Sequence, residues 1–184
     1  MDRKIFNRKD LFTIPNIIGY VRILLIPVFC CLYIKGYYGW AVFTVLFSSF
    51  TDLFDGMIAR RFNQVTELGK VLDPVADKMT HFALAVVLAI RYPLMWALLF
   101  LMVIKEGYMA IAGLKHLGKN RLDGAMWYGK VCTATLFAGL FLLFCFYNMP
   151  LWLVNTMIIV MMVVMEYTFI RYIIFYRNMD KRDI

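Results

Sequence analysis

The chain of 184 residues is 62% hydrophobic and only 17% charged, with a net charge of +8 and a mean hydropathy of +0.70. Soluble domains are roughly 45–50% apolar and about 25% charged, so these proportions exclude an ordinary water-soluble fold and predict one domain, residues 1–184, seated mostly in lipid. The basic excess then reads as membrane topology and contact with anionic head groups, not as nucleic-acid binding.

In chain order, residues 1–14 come first as a juxtamembrane segment. Ile5, Phe6, Leu11 and Phe12 alternate with Arg3, Lys4, Arg8, Lys9 and Asp10, the pattern of a short helix lying in the membrane interface or of a basic tail that serves topology. Pro15-Asn16 opens the first long apolar run, which contains Arg22 about two turns inside. That run is too long for a signal peptide and lacks a small-residue cleavage pattern, so it is expected to be a retained membrane helix. A spanning helix needs about 20 mostly apolar residues. Six segments approach this, at 17–35, 40–59, 71–90, 94–114, 131–148 and 151–172. Three tight breaks separate them pairwise: Lys35-Gly36-Tyr37-Tyr38-Gly39, Arg91-Tyr92-Pro93 and Tyr147-Asn148-Met149-Pro150.

These three turns carry only Lys35 and Arg91. The opposite side, with both termini and segments 60–70 and 115–130, carries Arg60, Arg61, Lys70, Lys115, Lys119, Arg121, Lys130, Arg177, Lys181 and Arg182 besides the basic N-terminus. The positive-inside rule therefore puts both termini in the cytoplasm, and six spans satisfy the parity. The expectation is an all-α integral membrane protein. Cys30, Cys31, Cys132 and Cys145 lie in apolar segments without a C-x-x-C pair and read as packing residues.

Ionisable groups inside membrane helices are costly and mark function. Asp52 and Asp55, three apart, share one helix face, with Ala59 on that face too. Asp73 and Asp77, four apart, share another, with Gly69 one turn before. The connection 61–68 is short and polar, so the two helices should be antiparallel neighbours whose four carboxylates converge. Four carboxylates at close range need a compensating charge. Hard divalent cations supply it through oxygen ligands, Mg²⁺ above all beside phosphates. Two ions roughly 3.5–4 Å apart suit phosphoryl-type displacement. Gly56, Ala59 and Gly69 leave room for a diphosphate, and Arg60 offers it a planar, bidentate contact.

Asp52, Asp55, Gly56, Ala59, Arg60, Gly69, Asp73 and Asp77 together spell D-x-x-D-G-x-x-A-R, eight residues, then G-x-x-x-D-x-x-x-D. This resembles the signature of the CDP-alcohol phosphotransferases at every fixed position. The resemblance extends to six spans, cytoplasmic termini and the Pro15-Asn16…Arg22 entry. It implies Asp52, Asp55, Asp73 and Asp77 as metal ligands for Mg²⁺ or Mn²⁺, with Asp77 also the general base toward the acceptor hydroxyl. Thr51, Asp52, Gly56, Ala59, Arg60, Gly69 and Asp73 are implied as contacts of the CDP moiety. It further implies a lipid donor, CDP-diacylglycerol, a cytoplasm-facing site in a bacterial membrane, and a homodimer.

The acceptor is less sharply written. Gly129-Lys130-Val131-Cys132-Thr133, Lys105-Glu106 (Lys where an Arg is usual), Thr13-Ile14-Pro15-Asn16 and Asn63-Gln64-Val65-Thr66 resemble bacterial phosphatidylglycerophosphate synthases. Glycerol 3-phosphate is then the expected acceptor, its phosphate met by Arg22, Lys105, Arg121 or Lys130. Topology alone also accounts for Lys115, Lys119 and Arg121. Phosphatidylglycerol, inositol phosphate and serine are alternative acceptors. Two non-enzymatic alternatives are a small transporter, whose acids should lie at mid-membrane among inverted repeats, and a scaffold indifferent to Asp→Asn. His81 reads as packing or as a neighbour of the site, His116 as a loop residue, and Glu166 as a possible partner of Arg171.

Overall fold

The computed structural model describes residues 13–61, 67–117 and 126–181, with side chains at all of these except 14–15, 52–61, 67–68, 70–71, 114, 116–117 and 180–181. It is helical throughout: α1 Ile14–Ile34, α2 Tyr38–Arg61, α3 Glu67–Ala89, α4 Met95–Leu117, α5 Trp127–Cys145 and α6 Leu151–Lys181. All six expected segments are helices. The expected interfacial helix within residues 1–14 lies almost wholly outside the described residues.

Among the described residues, Asn16–Ile34, Met95–Gly113, Trp127–Cys145 and Leu151–Met179 are long and apolar enough to cross a membrane, and α2 adds the shorter apolar stretch Tyr38–Thr51. α2 is described with side chains only as far as Thr51, and in α3 Asp73, Asp77 and Lys78 interrupt the apolar run. Large apolar side chains such as Leu24, Trp40, Phe100, Ile111 and Trp152 are more than 60% exposed. In water this would be a liability; in a bilayer it is the lipid-facing surface.

Several ends differ from expectation: α3 starts four residues early at Glu67, α4 runs three residues on to Leu117 and α5 stops three short at Cys145. α6 continues nine residues past 172, because Ile173, Ile174, Phe175 and Tyr176 contain no breaker and Tyr172 stacks on Tyr176 at 6.4 Å between ring centroids. α5 begins at Trp127, four residues early, so Tyr128-Gly129-Lys130 forms its first turn and not a loop.

The helices group into two compact units, residues 1–87 and 88–184. In the first, α1 and α2 pack along one another. Phe29 and Tyr33 of α1 and Ala41, Val45 and Ser48 of α2 are buried; small residues on α2 let the backbones approach. The joining turn explains its own sequence. Tyr37 N–H donates to the Leu32 carbonyl at 2.9 Å and Gly36 N–H to the Tyr33 carbonyl at 3.0 Å, a Schellman closure that needs a left-handed residue. Gly36 supplies it with φ +83°.

In the second unit each helix buries a stripe at three- and four-residue spacing. Met95, Leu98, Met102, Lys105 and Ala112 form that of α4. Tyr128, Cys132, Leu136 and Leu140 form that of α5, and Val154, Ile158, Met161, Met165, Thr168 and Tyr172 that of α6. α5 and α6 meet at two glycines. A Cβ on Gly139 would lie 2.4 Å from Met161 Sδ, and one on Gly129 2.2 Å from the Tyr172 hydroxyl oxygen. The backbone N–H of Met126, at the head of α5, hydrogen-bonds to that same oxygen.

Gly129→Ala is therefore expected to cost about 1–3 kcal/mol through overpacking, read as unfolding in detergent. Adding Tyr172→Phe should restore part of the loss, since the obstructing atom is the hydroxyl; additive losses would show that the hydroxyl is not the obstacle.

Candidate functional site

Helical register orders the carboxylate positions. The buried stripe of α2 runs Ala41, Val45, Ser48, and the same three- and four-residue steps lead to positions 52, 55 and 59. Residues Thr51 to Arg61 continue the helix; the side chains of Asp52, Asp55, Ala59 and Arg60 lie outside the described ones. An open apolar groove along α2, lined by Phe43, Leu46, Phe47, Phe50 and Thr51, ends where this motif starts.

On α3 both carboxylates are described and lie one turn apart on one face, each intermediate in exposure. The inward side of the same helix is Ala76, Thr80, His81, Leu84 and Val87, with the Thr80 hydroxyl donating to the Ala76 carbonyl at 2.9 Å. Pro74 sits inside α3. Lacking an N–H, it withdraws the i+4 donor from the Lys70 carbonyl, one turn before Asp73 and two before Asp77.

α1 supplies a cation to this face. Arg22 donates through Nη2 to Asp77 Oδ1 and is near enough to Asp73 for its charge to act there too. Its side chain is 4% exposed and that of Asp77 48%. The helices are close here, since a Cβ on Gly19 would stand 2.6 Å from Leu72 Cδ2. The pair spans 55 positions of sequence, so spacing alone could not have found it; the sequence signal was an arginine deep inside an apolar run.

The remaining cations expected to meet an acceptor fall in the second unit. Lys105 is buried on the α4 stripe, 6% exposed, and its Nζ lies 2.8 Å from Glu106 Oε1. Cys132 and Thr168 line the same interior. Lys130 is exposed in the first turn of α5. Arg121 lies outside the described residues. Arg171 does not meet Glu166: it stands over the Tyr128 ring at 5.6 Å, and five residues along a helix turn two side chains onto different faces.

Among the described residues no group of three or more His, Cys, Asp and Glu side chains forms a metal cluster; two of the four carboxylates are not among them. The donor chemistry nevertheless fits a hard divalent ion: Asp73 and Asp77 offer carboxylate oxygens from one face of α3, and two further Asp positions lie in register on α2.

An all-helical membrane protein with two short-spaced pairs of aspartates, one pair held from α1 by a buried arginine, defines the class. The sequence profile of the CDP-alcohol phosphatidyltransferases matches residues 12–175, and the chain belongs to that family. It is 34% identical over 137 residues to a CDP-diacylglycerol–glycerol-3-phosphate 3-phosphatidyltransferase of Salmonella paratyphi A, covering 70% of this chain and 75% of that protein. It is 32% identical over 133 residues to a cardiolipin synthase (CMP-forming) of Streptomyces coelicolor, covering 68% and 62%. It is 43% identical over 84 residues to a cardiolipin synthase (CMP-forming)/mitochondrial hydrolase fusion protein of Schizosaccharomyces pombe, covering 46% of this chain but only 14% of the fusion.

Lys105→Met takes the ammonium from beside a carboxylate in an apolar interior. A loss on the order of 2 kcal/mol is expected, below that of a fully buried pair, because Glu106 is 26% exposed. Lys105→Met combined with Glu106→Gln should recover part of it. Unfolding midpoints of the three variants decide this; a double variant no better than the single one would mean that charge pairing is not what Lys105 contributes.

Proposed function

We propose that this chain transfers the phosphatidyl group of CDP-diacylglycerol to glycerol 3-phosphate, giving phosphatidylglycerophosphate and CMP. The observation that carries this is the complete eight-residue carboxylate signature within a family match running from residue 12 to 175. The Salmonella relative, aligned over most of both chains, supports the choice of acceptor. The Streptomyces relative favours a second reading, the same chemistry with phosphatidylglycerol as acceptor.

In this proposal an acceptor oxygen attacks the lipid-side phosphorus, forming one P–O bond as the bond to CMP breaks. Asp77 takes the acceptor's hydroxyl proton. Gly56, Ala59 and Gly69 admit the diphosphate close to the backbone, Thr51 and Arg60 meet the nucleotide end, and the apolar groove that ends at Thr51 gives the lipid tails a surface. Lys105, Arg121 and Lys130 serve the acceptor's phosphate. Asp52, Asp55, Asp73 and Asp77 would hold Mg²⁺ or Mn²⁺, two ions, whose charge neutralises the diphosphate and the departing CMP.

We place the reaction on the cytoplasmic side of a bacterial membrane, in one domain of six spans with cytoplasmic termini. The clustering of Lys and Arg opposite the three tight turns supports this orientation. The family match, which runs through both compact units, supports a single domain. A homodimer rests on family resemblance alone.

The test is CMP release by detergent-purified protein from CDP-diacylglycerol and Mg²⁺. Glycerol 3-phosphate is expected to stimulate it, and phosphatidylglycerol, inositol phosphate and serine are not. Stimulation by another alcohol alone would keep the chemistry and replace the acceptor; silence with all four, from folded protein, would sink the proposal. Asp77→Asn should lower turnover by roughly 10²–10⁴-fold or more, the scale of a lost general base. Chelation should abolish turnover, Mg²⁺ or Mn²⁺ restore it, and Ca²⁺ restore it poorly, its coordination being longer and looser.

A further inference from the structure

Arg22 was expected at the acceptor's phosphate, but its geometry points elsewhere. Its side chain is 4% exposed and donates to Asp77 Oδ1. A guanidinium so deeply placed is expensive to leave without its carboxylate. It also has little room to move, because α1 lies close against α3 one turn earlier, at Gly19 and Leu72. Asp77 is the opposite case, with a side chain 48% exposed. One oxygen of the half-open carboxylate is thus fixed from the helix interior, and Oδ2 is the oxygen left to take a cation or a proton.

We propose that Arg22 is a positioning residue: it sets the orientation of Asp77 from α1 and so presents Oδ2 to the reacting groups, without itself touching the acceptor. The inference rests on the reading of Asp77 as a site carboxylate. Arg22 extends its field to Asp73 as well, so one buried charge serves both α3 acids. Among the described residues one guanidinium faces the two carboxylates of α3, so Arg22 by itself does not neutralise them. Losing the orientation of Asp77 therefore outweighs any relief of repulsion toward an incoming divalent ion, and partners that orient a ligand typically contribute about 10–100-fold in metal affinity.

The experiment compares wild type, Arg22→Gln and Arg22→Lys as full chains in detergent. Mg²⁺ affinity is measured by calorimetry, kcat and KM for glycerol 3-phosphate by CMP release, and the unfolding midpoint alongside. Arg22→Gln is expected to weaken Mg²⁺ binding by roughly 10–100-fold and to lower kcat, with KM within about twofold of wild type. Arg22→Lys should fall between, keeping the charge but losing the planar fork. In an Asp77→Asn background, Arg22→Gln should change Mg²⁺ affinity no further, since its effect passes through Asp77.

A raised KM with unchanged Mg²⁺ affinity would make Arg22 an acceptor contact and overturn the proposal. A lowered midpoint with unchanged affinity and kcat would make it a packing charge and overturn it too. If Arg22→Gln cannot be extracted folded, Arg22→Lys carries the test, and wild-type affinity and kcat in it are the overturning result. Wild-type protein that neither binds Mg²⁺ nor releases CMP would instead strike down the reading of the site, and this inference with it.

Discussion

Carboxylates at the edge of an apolar slab cannot keep their charges without a partner, and most of the first unit can be understood from that constraint. Each uncompensated charge in low dielectric costs several kcal/mol, so the aspartates of α3 must be met by cations of fixed position. Arg22 meets them from α1. For Arg22 to stand there, α1 must come close to α3, and Gly19 permits it where any Cβ would crowd Leu72. The α1–α2 turn, closed by Gly36 in the left-handed region, returns the chain so that α2 packs along α1 through Ala41, Val45 and Ser48. The same helical register then arrives at positions 52 and 55. Electrostatic need and helix packing are satisfied by one arrangement.

The second unit solves a smaller version of the problem. Lys105 occupies a position on the α4 stripe that its neighbours fill with Met and Leu. Glu106, adjacent in sequence, compensates it. Neighbours in sequence do not share a helix face, so the contact requires the long lysine stem to bend back toward Glu106. Cys132 and Thr168 lie beside Lys105 in this interior.

Much of this was legible in the sequence, for identifiable reasons. Long apolar runs broken by Gly-, Tyr- and Pro-containing turns gave six helices in the right places, because lipid allows few alternatives to a helix. The paired aspartates declared their faces through three- and four-residue spacing. What stayed hidden depended on partners distant in sequence. The Arg22–Asp77 pair joins two helices through a contact that no local pattern encodes, and Gly129, read as part of a substrate motif, is also small because the Tyr172 hydroxyl occupies the space beside it. The end of α6 was set too early, because Ile173, Ile174 and Phe175 carry the apolar run past 172. The pairing of Glu166 with Arg171 failed on geometry, the arginine lying over Tyr128 instead.

The length of α6 has a mechanical consequence. Thirty-one residues make a rod of about 46 Å at 1.5 Å per residue, against a hydrocarbon layer of about 30 Å. The helix must tilt or emerge. Arg171 and Tyr176 are residues of the kind that settle at the head-group level, and Gly129 and the buried Tyr172 lock α5 to α6 at that same height, so these residues make a belt. Wherever the belt floats, the first turn of α5, with Lys130, floats with it. The vertical position of that cation is thereby tied to bilayer thickness, so the lipid is both the solvent of this protein and a ruler against which part of it is set.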